Sequence, residues 1–506
     1  MASTMPAERL SAISYQPPAF RLSPFAFILS LLLLAALIRL PGLARPLLGN
    51  FATKNVVYAM IARNWALGRA ELSRPTVDLL AEGQRAWHLV EWPASAYVTG
   101  ALWKVCGGSL DAWGRGTSVA WSLLAVAWLY WLVRRWHGET AARGAAAVYA
   151  LSPVSLIYGQ SFMLEASVGC LSIAAFCGVQ RWLDSRRGIW LAAAAGCLAL
   201  LFLTKIYMLV ILLPLFALVW RAEKLSAFSF QLSAFRLSPF AFLLLASLPA
   251  ILWYANTWHI AAPSRESAAR VYYSIRHSAG VHGFPSPLLA QLAFYRKLLS
   301  DLAGVALTPV GLLLAAAGFW HREGRRHAAW LASVAVLVAA LPLKFMEMNY
   351  YQLVILPPLA VMAGLGWGKI QESWRLGRWA VAGLLLLGLL FTARYAARPA
   401  FATPAEDRGV LAAAAALQRH APAGEPIVTL HGSTIDLLYY CDHPGWALSP
   451  DDPDLPAQLA ACQKQGARYL VVCGPQEQID RVSQLEALSG GTLLEATDEY
   501  RVYPLD

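Results

Sequence analysis

Side chains able to do acid, base or ionic chemistry are few in this chain, and most fall between apolar runs. Residues 43 to 115 hold Lys54, Asn55, Asp78, Glu82, Arg85, His88, Glu91 and Arg115. Farther on come Gln160 and Glu165, Lys205, Arg265, Arg276 with His277, Arg296 with Lys297, and then Lys344, Glu347, Asn349, Tyr350 and Tyr351. Lysine and arginine suit an anionic head group, because charge-assisted hydrogen bonds to phosphate are strong. Moving a group from that phosphate to a hydroxyl needs a carboxylate to accept the hydroxyl proton. Both residue types are present. Each also has a plain structural reading. Lys205 can snorkel at a helix turn, and Glu91 can cap the helix after Trp92-Pro93. Asp78 can be a turn acid, Glu165 can favour a helix dipole, and Tyr350-Tyr351 can belong to an interfacial aromatic belt. No metal set converges on His88 or His277, so no metal is expected and both read as surface histidines.

The composition says what kind of scaffold must hold these groups. Of 506 residues, 58% are hydrophobic and 14% charged, against roughly 45–50% and 25% in soluble domains. An ordinary soluble enzyme and a disordered scaffold are both excluded. Lys and Arg number 41 against 30 Asp and Glu, a formal charge of +11. The basic residues sit in short clusters between apolar runs, which is the pattern of membrane orientation; no nucleic-acid partner is expected. Seven scattered Cys without a C-x-x-C pair support neither a zinc site nor a disulfide framework.

A helix needs about 20 apolar residues to cross a hydrocarbon core. Eleven such spans are expected, near 24–42, 116–133, 140–158, 166–182, 189–204, 206–220, 239–256, 302–320, 328–343, 351–367 and 378–394. Arg134, Arg135 and Arg143, then Arg181, Arg186 and Arg187, mark the first two basic loops. Arg221, Lys224 and Arg236, then Arg322, Arg325 and Arg326, then Lys369, Arg375 and Arg378 make every second loop basic. Those loops are therefore expected on the cytoplasmic side. The apolar stretch 189–220 is broken only by Thr204-Lys205, which places Lys205 at an outer turn.

The long outer loops are 43–115 and 257–301, and long ordered loops usually carry function. The first holds a helical stretch, Val56 to Leu67, and an amphipathic one, Ala94 to Val105, suited to an interface. From about Pro404 the chain turns polar, and the strand-like runs Pro426 to Leu430 and Tyr469 to Cys473 alternate with helical patterns. The expected layout is a cytoplasmic segment 1–23, a transmembrane domain 24–403 and a small extracytoplasmic α/β domain 404–506. The last is expected to pack on the outer loops, where Asp407, His431, Asp436, Asp442 and His443 either line an acceptor site or form a charged surface. The nonapeptide AFRLSPFAF occurs at Ala19 to Phe27 and at Ala234 to Phe242, and is given no function.

The order of several motifs resembles the GT-C glycosyltransferases, and among them the bacterial relatives of protein O-mannosyltransferases and lipid A aminoarabinose transferases. These are Tyr58-Ala59-Met60-Ile61-Ala62-Arg63-Asn64, Glu91-Trp92-Pro93 before Ala96-Tyr97, Trp113-Gly114-Arg115, and Ala150-Leu151-Ser152-Pro153. Phe162-Met163-Leu164-Glu165, Thr204-Lys205, and Tyr350-Tyr351 ahead of Leu356-Pro357-Pro358 continue the series. The resemblance implies an all-α polytopic GT-C-like membrane protein of the bacterial cytoplasmic membrane. Its implied donor is a polyprenyl-phosphate-linked sugar and its acceptor an envelope glycan, lipid or protein, with membrane lipid as a partner and no separate cofactor. Lys205 and Arg115 match the family's basic positions and, with Lys54, are expected at the donor phosphate. Glu165, Asn55, Tyr350 and Tyr351 are expected to bind substrate.

One departure bears on catalysis. The family usually carries an acid just before the Tyr-Ala helix, where this chain reads Phe51-Ala52-Thr53-Lys54-Asn55, and no acid stands between Pro41 and Leu67. Glu91, ahead of Asp78, is the expected replacement. The other readings are an inactive relative that binds the lipid-linked sugar as an assembly component, and a transporter of that lipid. Acid-poor spans argue against ion-coupled transport.

Overall fold

The computed structural model describes residues 23–226, 239–262, 270–274, 286–373, 377–392, 394, 402–432, 434–483 and 493–505. Arg236, Arg265, Arg276, His277, Arg375 and the segment before residue 23 lie outside them. Among the described residues, five helices are long and apolar enough to cross a membrane: Pro24–Leu43, Leu110–Leu151, Glu165–Ser185, Phe240–Ile260 and Tyr351–Gln371. The bent pair Leu292–Ala306 and Thr308–Trp320 would make a sixth, and Gly188–Thr204 and Ile206–Ala222 are apolar but shorter. These helices make the chain an integral membrane protein.

Helix breaks fall where the backbone demands them. Leu110–Leu151 has 42 residues, about 63 Å at about 1.5 Å per residue, roughly twice a hydrocarbon core. Gly138, at φ 81° and ψ −178°, divides it beside Arg134 and Arg135, between the spans expected at 116–133 and 140–158. Lys205 is extended, at φ −147° and ψ 100°, between Gly188–Thr204 and a 3-10 turn at Ile206–Ile211. The single span expected at 302–320 is instead bent, by 106° between Leu292–Ala306 and Thr308–Trp320. Thr308 has φ 65° and Pro309 supplies no N–H to continue the ladder, so the helix restarts there.

Buried in the first span, Arg39 is tolerated because its guanidinium donates to the carbonyls of Ala35, Ala150 and Ser155 and to the Ser155 hydroxyl. It thereby joins the first helix to the turn between Leu110–Leu151 and Pro153–Tyr158. Tyr351–Ser373 packs against both Leu110–Leu151 and Thr308–Trp320. A Cβ on Gly318 would come 1.9 Å from the Met362 carbonyl, and one on Gly366 would come 2.0 Å from that of Leu314. Glycine at these positions lets the two backbones touch.

Among the described residues, the strands outside the helices form one eight-stranded sheet, in the order β3-β2-β1-β5-β4-β6-β8-β7. Its strands are β1 (Thr76–Ala81), β2 (Gln84–Leu89), β3 (Val271–Ser274), β4 (Ile427–Leu430), β5 (Gly445–Leu448), β6 (Tyr469–Cys473), β7 (Glu495–Ala496) and β8 (Tyr500–Pro504). Strands β5, β4 and β6 are parallel, and β8 closes antiparallel on β6. β1 and β2 form a hairpin around Glu82 and Gly83, both at positive φ, as a two-residue hairpin turn requires. A pairing of Leu79 with Gly445 joins that hairpin to the C-terminal strands. The sheet thus continues from the C-terminal region into the first long loop, where local sequence pattern points to helices alone.

The C-terminal region is fastened to the membrane helices by side chains as well. Tyr439 and Tyr440 both donate to Asp111, at 2.6 and 2.8 Å, and Arg63 donates to the Tyr439 carbonyl and pairs with Asp442.

Candidate active site

Four elements bring their ends together beside the break at Lys205. The helix Ala52–Ala66 begins after Phe51, which has φ 57°. Lys54 and Tyr58, one turn apart, share a face of it. β2 delivers Glu91 just beyond its end, where the Trp92 amide donates to the Leu203 carbonyl at 3.0 Å. Glu165 opens the helix Glu165–Ser185, and Tyr350 stands just before the helix Tyr351–Ser373.

The result is an alternating set of two ammonium and two carboxylate groups. Lys205 Nζ lies 3.0 Å from Glu91 Oε1 and 3.9 Å from Glu165 Oε1, while Lys54 Nζ lies 2.6 Å from Glu165 Oε1. The Tyr58 hydroxyl donates to Glu91 Oε1. Lys54 Nζ also sits 3.7 Å from the centre of the Tyr350 ring, a cation–π contact. Tyr350 and Tyr351 are stacked at 5.0 Å, and Tyr207 lies 5.6 Å from Tyr351. Glu91, Glu165 and Lys205 are buried and Lys54 is partly so.

Charge and burial oppose one another here. Burial pushes the Glu91 carboxyl up, but Lys205, His88, Lys54 and the Tyr58 hydroxyl outweigh it and bring the group to about 2. Burial pushes His88 down to about 4; Glu91 opposes that, and Lys205 and Lys54 add to it. Some hydrogen-bonding capacity has no partner among the described residues: Glu165 Oε2, the Tyr207 hydroxyl and His88 Nδ1 are all buried and unmatched. Buried polar atoms of this kind cost stability unless something satisfies them, so the cluster keeps hydrogen-bonding capacity that water or a polar ligand can fill.

Other sequence-derived candidates stand apart from this set. Asp78, on β1, accepts from Arg63 at 2.6 Å, from Asn64 at 3.0 Å and from Arg85 at 3.0 Å. Burial raises its carboxyl, yet the two guanidiniums hold it below the usual range. Both oxygens are committed to clamping the hairpin onto the helix Ala52–Ala66. Arg115 donates to the carbonyls of Arg45, Pro46 and Gln160 at 3.1, 2.7 and 3.3 Å, so its guanidinium braces the loop after the first helix. Arg115 and Asn55 line a separate small recess with Arg45, Asn50 and Ser161. Asn55 donates to the Phe51 carbonyl at 2.9 Å, and its Oδ1 is buried without a partner among the described residues.

Tyr58, Tyr207 and the placement of His88 escape the sequence reading. The expectation of a surface histidine at His88 is corrected: it is buried among Tyr58, Tyr272 and Tyr273, because pairing of β2 with β3 covers it.

Comparison with solved structures settles the architecture. The chain superposes on ArnT from Cupriavidus metallidurans bound to undecaprenyl phosphate with a TM-score of 0.62 and 14% identity, covering 96% of this chain and 99% of that one. The chain has the GT-C fold. It matches the oligosaccharyltransferase of Archaeoglobus fulgidus in complex with Zn and sulfate at TM-score 0.55 and 12% identity, covering 95% of this chain and 73% of that one. A. fulgidus AglB in complex with an inhibitory peptide and a dolichol-phosphate matches at 0.51 and 14%, covering 95% and 74%. No protein-family model and no curated protein matches the chain. Within the GT-C fold, the Lys54, Glu91, Glu165 and Lys205 cluster occupies the junction between helix ends and the first long loop.

Proposed function

We propose that this protein is a membrane glycosyltransferase that moves a sugar from a polyprenyl-phosphate donor to a hydroxyl of an envelope glycan, lipid or protein on the extracytoplasmic face. The observation that carries the reading is the set of buried Glu165, Lys205 and Glu91 with partly buried Lys54, and its Glu165 Oε2 and Tyr207 hydroxyl unmatched among the described residues. The undecaprenyl phosphate in the ArnT structure and the dolichol-phosphate in the AglB structure supply the class of lipid. The basic loops, on the positive-inside rule, supply the face.

Lys205 and Lys54 would leave their carboxylate partners in part to hold the donor phosphate. The acceptor oxygen bonds to the anomeric carbon as the bond from that carbon to the phosphate oxygen breaks, and the electron pair departs on the phosphate. The acceptor proton passes to Glu91. Held by Lys205, Glu91 is a weak base; a phosphate that draws Lys205 away restores its basicity, so proton acceptance is linked to donor binding. Asp78 is assigned to holding the hairpin and Arg115 to bracing the loop.

The test is release of polyprenyl phosphate from a radiolabelled polyprenyl-phosphate hexose by the purified protein in lipid nanodiscs with an envelope extract. Turnover by wild type that falls about 100-fold or more in Glu91→Gln is expected; equal turnover in both overturns the assignment. The absence of an acid at residues 51–55 favours a second reading, a lipid-linked-sugar binding component without turnover. Retention of labelled donor with no release under every acceptor condition would select it.

A further inference from the structure

A second buried ionisable cluster lies in the C-terminal region, and the proposed transfer does not use it. His431 follows directly on β4, a central strand of the parallel set, so its side chain emerges at the carboxyl edge of the sheet, where ligand sites of parallel sheets gather. Asp407 reaches it from the turn Ala405–Asp407, and Asp436 from the start of Asp436–Cys441. All three are buried, at 6%, 4% and 1% exposure for Asp407, His431 and Asp436.

The hydrogen bonds leave one vertex of this triangle open. His431 Nδ1 faces the Cys473 carbonyl at 3.0 Å, so Nδ1 carries the proton and donates it. In the neutral ring Nε2 then presents its lone pair to the carboxylates: Asp407 Oδ1 at 3.1 Å and Asp436 Oδ1 at 3.8 Å. A lone pair facing two carboxylates is repulsive, so either a proton on Nε2, which makes the ring an imidazolium donating to Asp407 Oδ1, or a metal cation stands between them. Asp407 Oδ2 accepts from the Gly49 amide at 2.9 Å. Asp436 Oδ1 accepts from the Thr434 hydroxyl and from the Leu437 amide. Asp436 Oδ2, in a side chain almost wholly removed from solvent, has no partner among the described residues.

We propose that Asp407, His431 and Asp436 hold a divalent cation of the zinc class, which pins the C-terminal region to the loop that ends at the helix Ala52–Ala66. One donor atom from each residue comes within 4.8 Å of the others. Ligands about 2.0–2.2 Å from a tetrahedral zinc stand roughly 3.3–3.6 Å apart, near the 3.1 and 3.8 Å separations of His431 Nε2 from Asp407 Oδ1 and Asp436 Oδ1. Two carboxylates and a neutral imidazole balance the charge of one dication, which removes the cost of burying them unpaired. The Nδ1 donation to a backbone carbonyl is the outer-shell bond that fixes the ring of a metal-bound histidine. Asp407 carries the effect outward, because the Gly49 amide it accepts from belongs to the loop leading through Phe51 into the helix that bears Lys54 and Tyr58.

Full-length protein in detergent, stripped with a chelator and dialysed, is titrated with Zn²⁺ and, separately, with Co²⁺. We expect about one zinc retained per chain by elemental analysis, ligand-field bands from the cobalt form, and a melting temperature raised by Zn²⁺ and lowered again by chelator. Asp436→Asn should bind the ion at least about 10-fold more weakly. His137→Ala, which alters the histidine pair His137 and His327 elsewhere in the structure, should retain it. Wild type that takes up neither ion, or Asp436→Asn that takes up zinc as tightly as wild type, overturns the proposal. Should Asp436→Asn fail to fold, the cobalt bands of wild type decide alone: present they support the site, absent they refute it.

Discussion

Two buried carboxylates flank the β1–β2 hairpin, and their surroundings differ in one respect. Asp78 has both oxygens taken by Arg63, Asn64 and Arg85, side chains whose geometry is fixed. Glu91 is held by Lys205 and Tyr58 inside a cluster where Glu165 Oε2 and the Tyr207 hydroxyl have no match among the described residues. Burial and ionic pairing are common to both, so neither separates structure from chemistry. Incomplete satisfaction does, because an apo site must leave room in its hydrogen-bond inventory for what it binds.

The largest expected effects set these two against each other. Glu91→Gln should lower transfer by about 10²- to 10⁴-fold in the folded fraction, with some fall in melting temperature as well, because buried Lys205 loses a carboxylate partner. Asp78→Asn should act on stability alone. Leaving Arg63 and Arg85 without their carboxylate should cost about 3–5 kcal/mol of stability, read as a fall in melting temperature, while the folded fraction retains its turnover. If Asp78→Asn abolishes turnover in a well-folded sample, the contrast fails.

Next in size is Lys205→Met. It removes a phosphate ligand and also the partner of Glu91, so both donor KM and turnover should suffer, together by roughly 10- to 100-fold in kcat/KM. A change in turnover alone, with donor affinity intact by equilibrium binding, would confine Lys205 to orienting Glu91.

Acidification sharpens the same contrast. His88 falls from an ordinary value of 6.5 to about 4 in the folded protein. The unfolded chain therefore takes up this proton first, and the stability associated with neutral His88 is full above 6.5 and declines as pH drops from there toward about 4. Glu91, depressed from 4.5 to about 2, contributes stability above 4.5 that is lost as pH falls toward about 2. Melting temperature plotted against pH should thus slope downward first through the histidine range, where His137 and His327, lowered by burial to about 4 and about 3, contribute alongside His88, and His88→Gln should shrink that limb while sparing the lower one.

The smallest expected effect is Tyr207→Phe. Among the described residues the hydroxyl has no partner to lose, so stability should move by no more than about 0.5 kcal/mol, while donor binding weakens a few-fold. A large drop in melting temperature would show that the hydroxyl is matched after all.

How much of this is legible in the sequence follows from the range of the interaction involved. The break at Lys205 is legible, since a Thr-Lys pair inside so apolar a stretch is costly anywhere but at a turn. So are the helices near Val56 to Leu67 and Ala94 to Val105, and the strands β4 and β6, each carried by local pattern. The β1–β2 hairpin is not, although Glu82-Gly83 is a turn signal, because the burial it creates depends on β3 and β5, distant in sequence. Glu91 and Asp78 cannot be told apart in one dimension for the same reason: their partners, Lys205 for one and Arg63 for the other, come from elements that meet only in the folded chain. Arg115 reads as a free cation along the chain and is occupied by three carbonyls in space. The bend before Thr308–Trp320 is hidden in an unbroken apolar run, where hydropathy alone does not register the missing N–H of Pro309.

The pairing of Leu79 with Gly445 has a bearing on how the molecule is made. β1 emerges early from the ribosome and must wait, one edge bare, until nearly the whole polypeptide has been synthesised before β5 arrives to cover it. A nascent chain stalled short of that strand would thus present an adhesive border next to the hairpin that leads to Glu91.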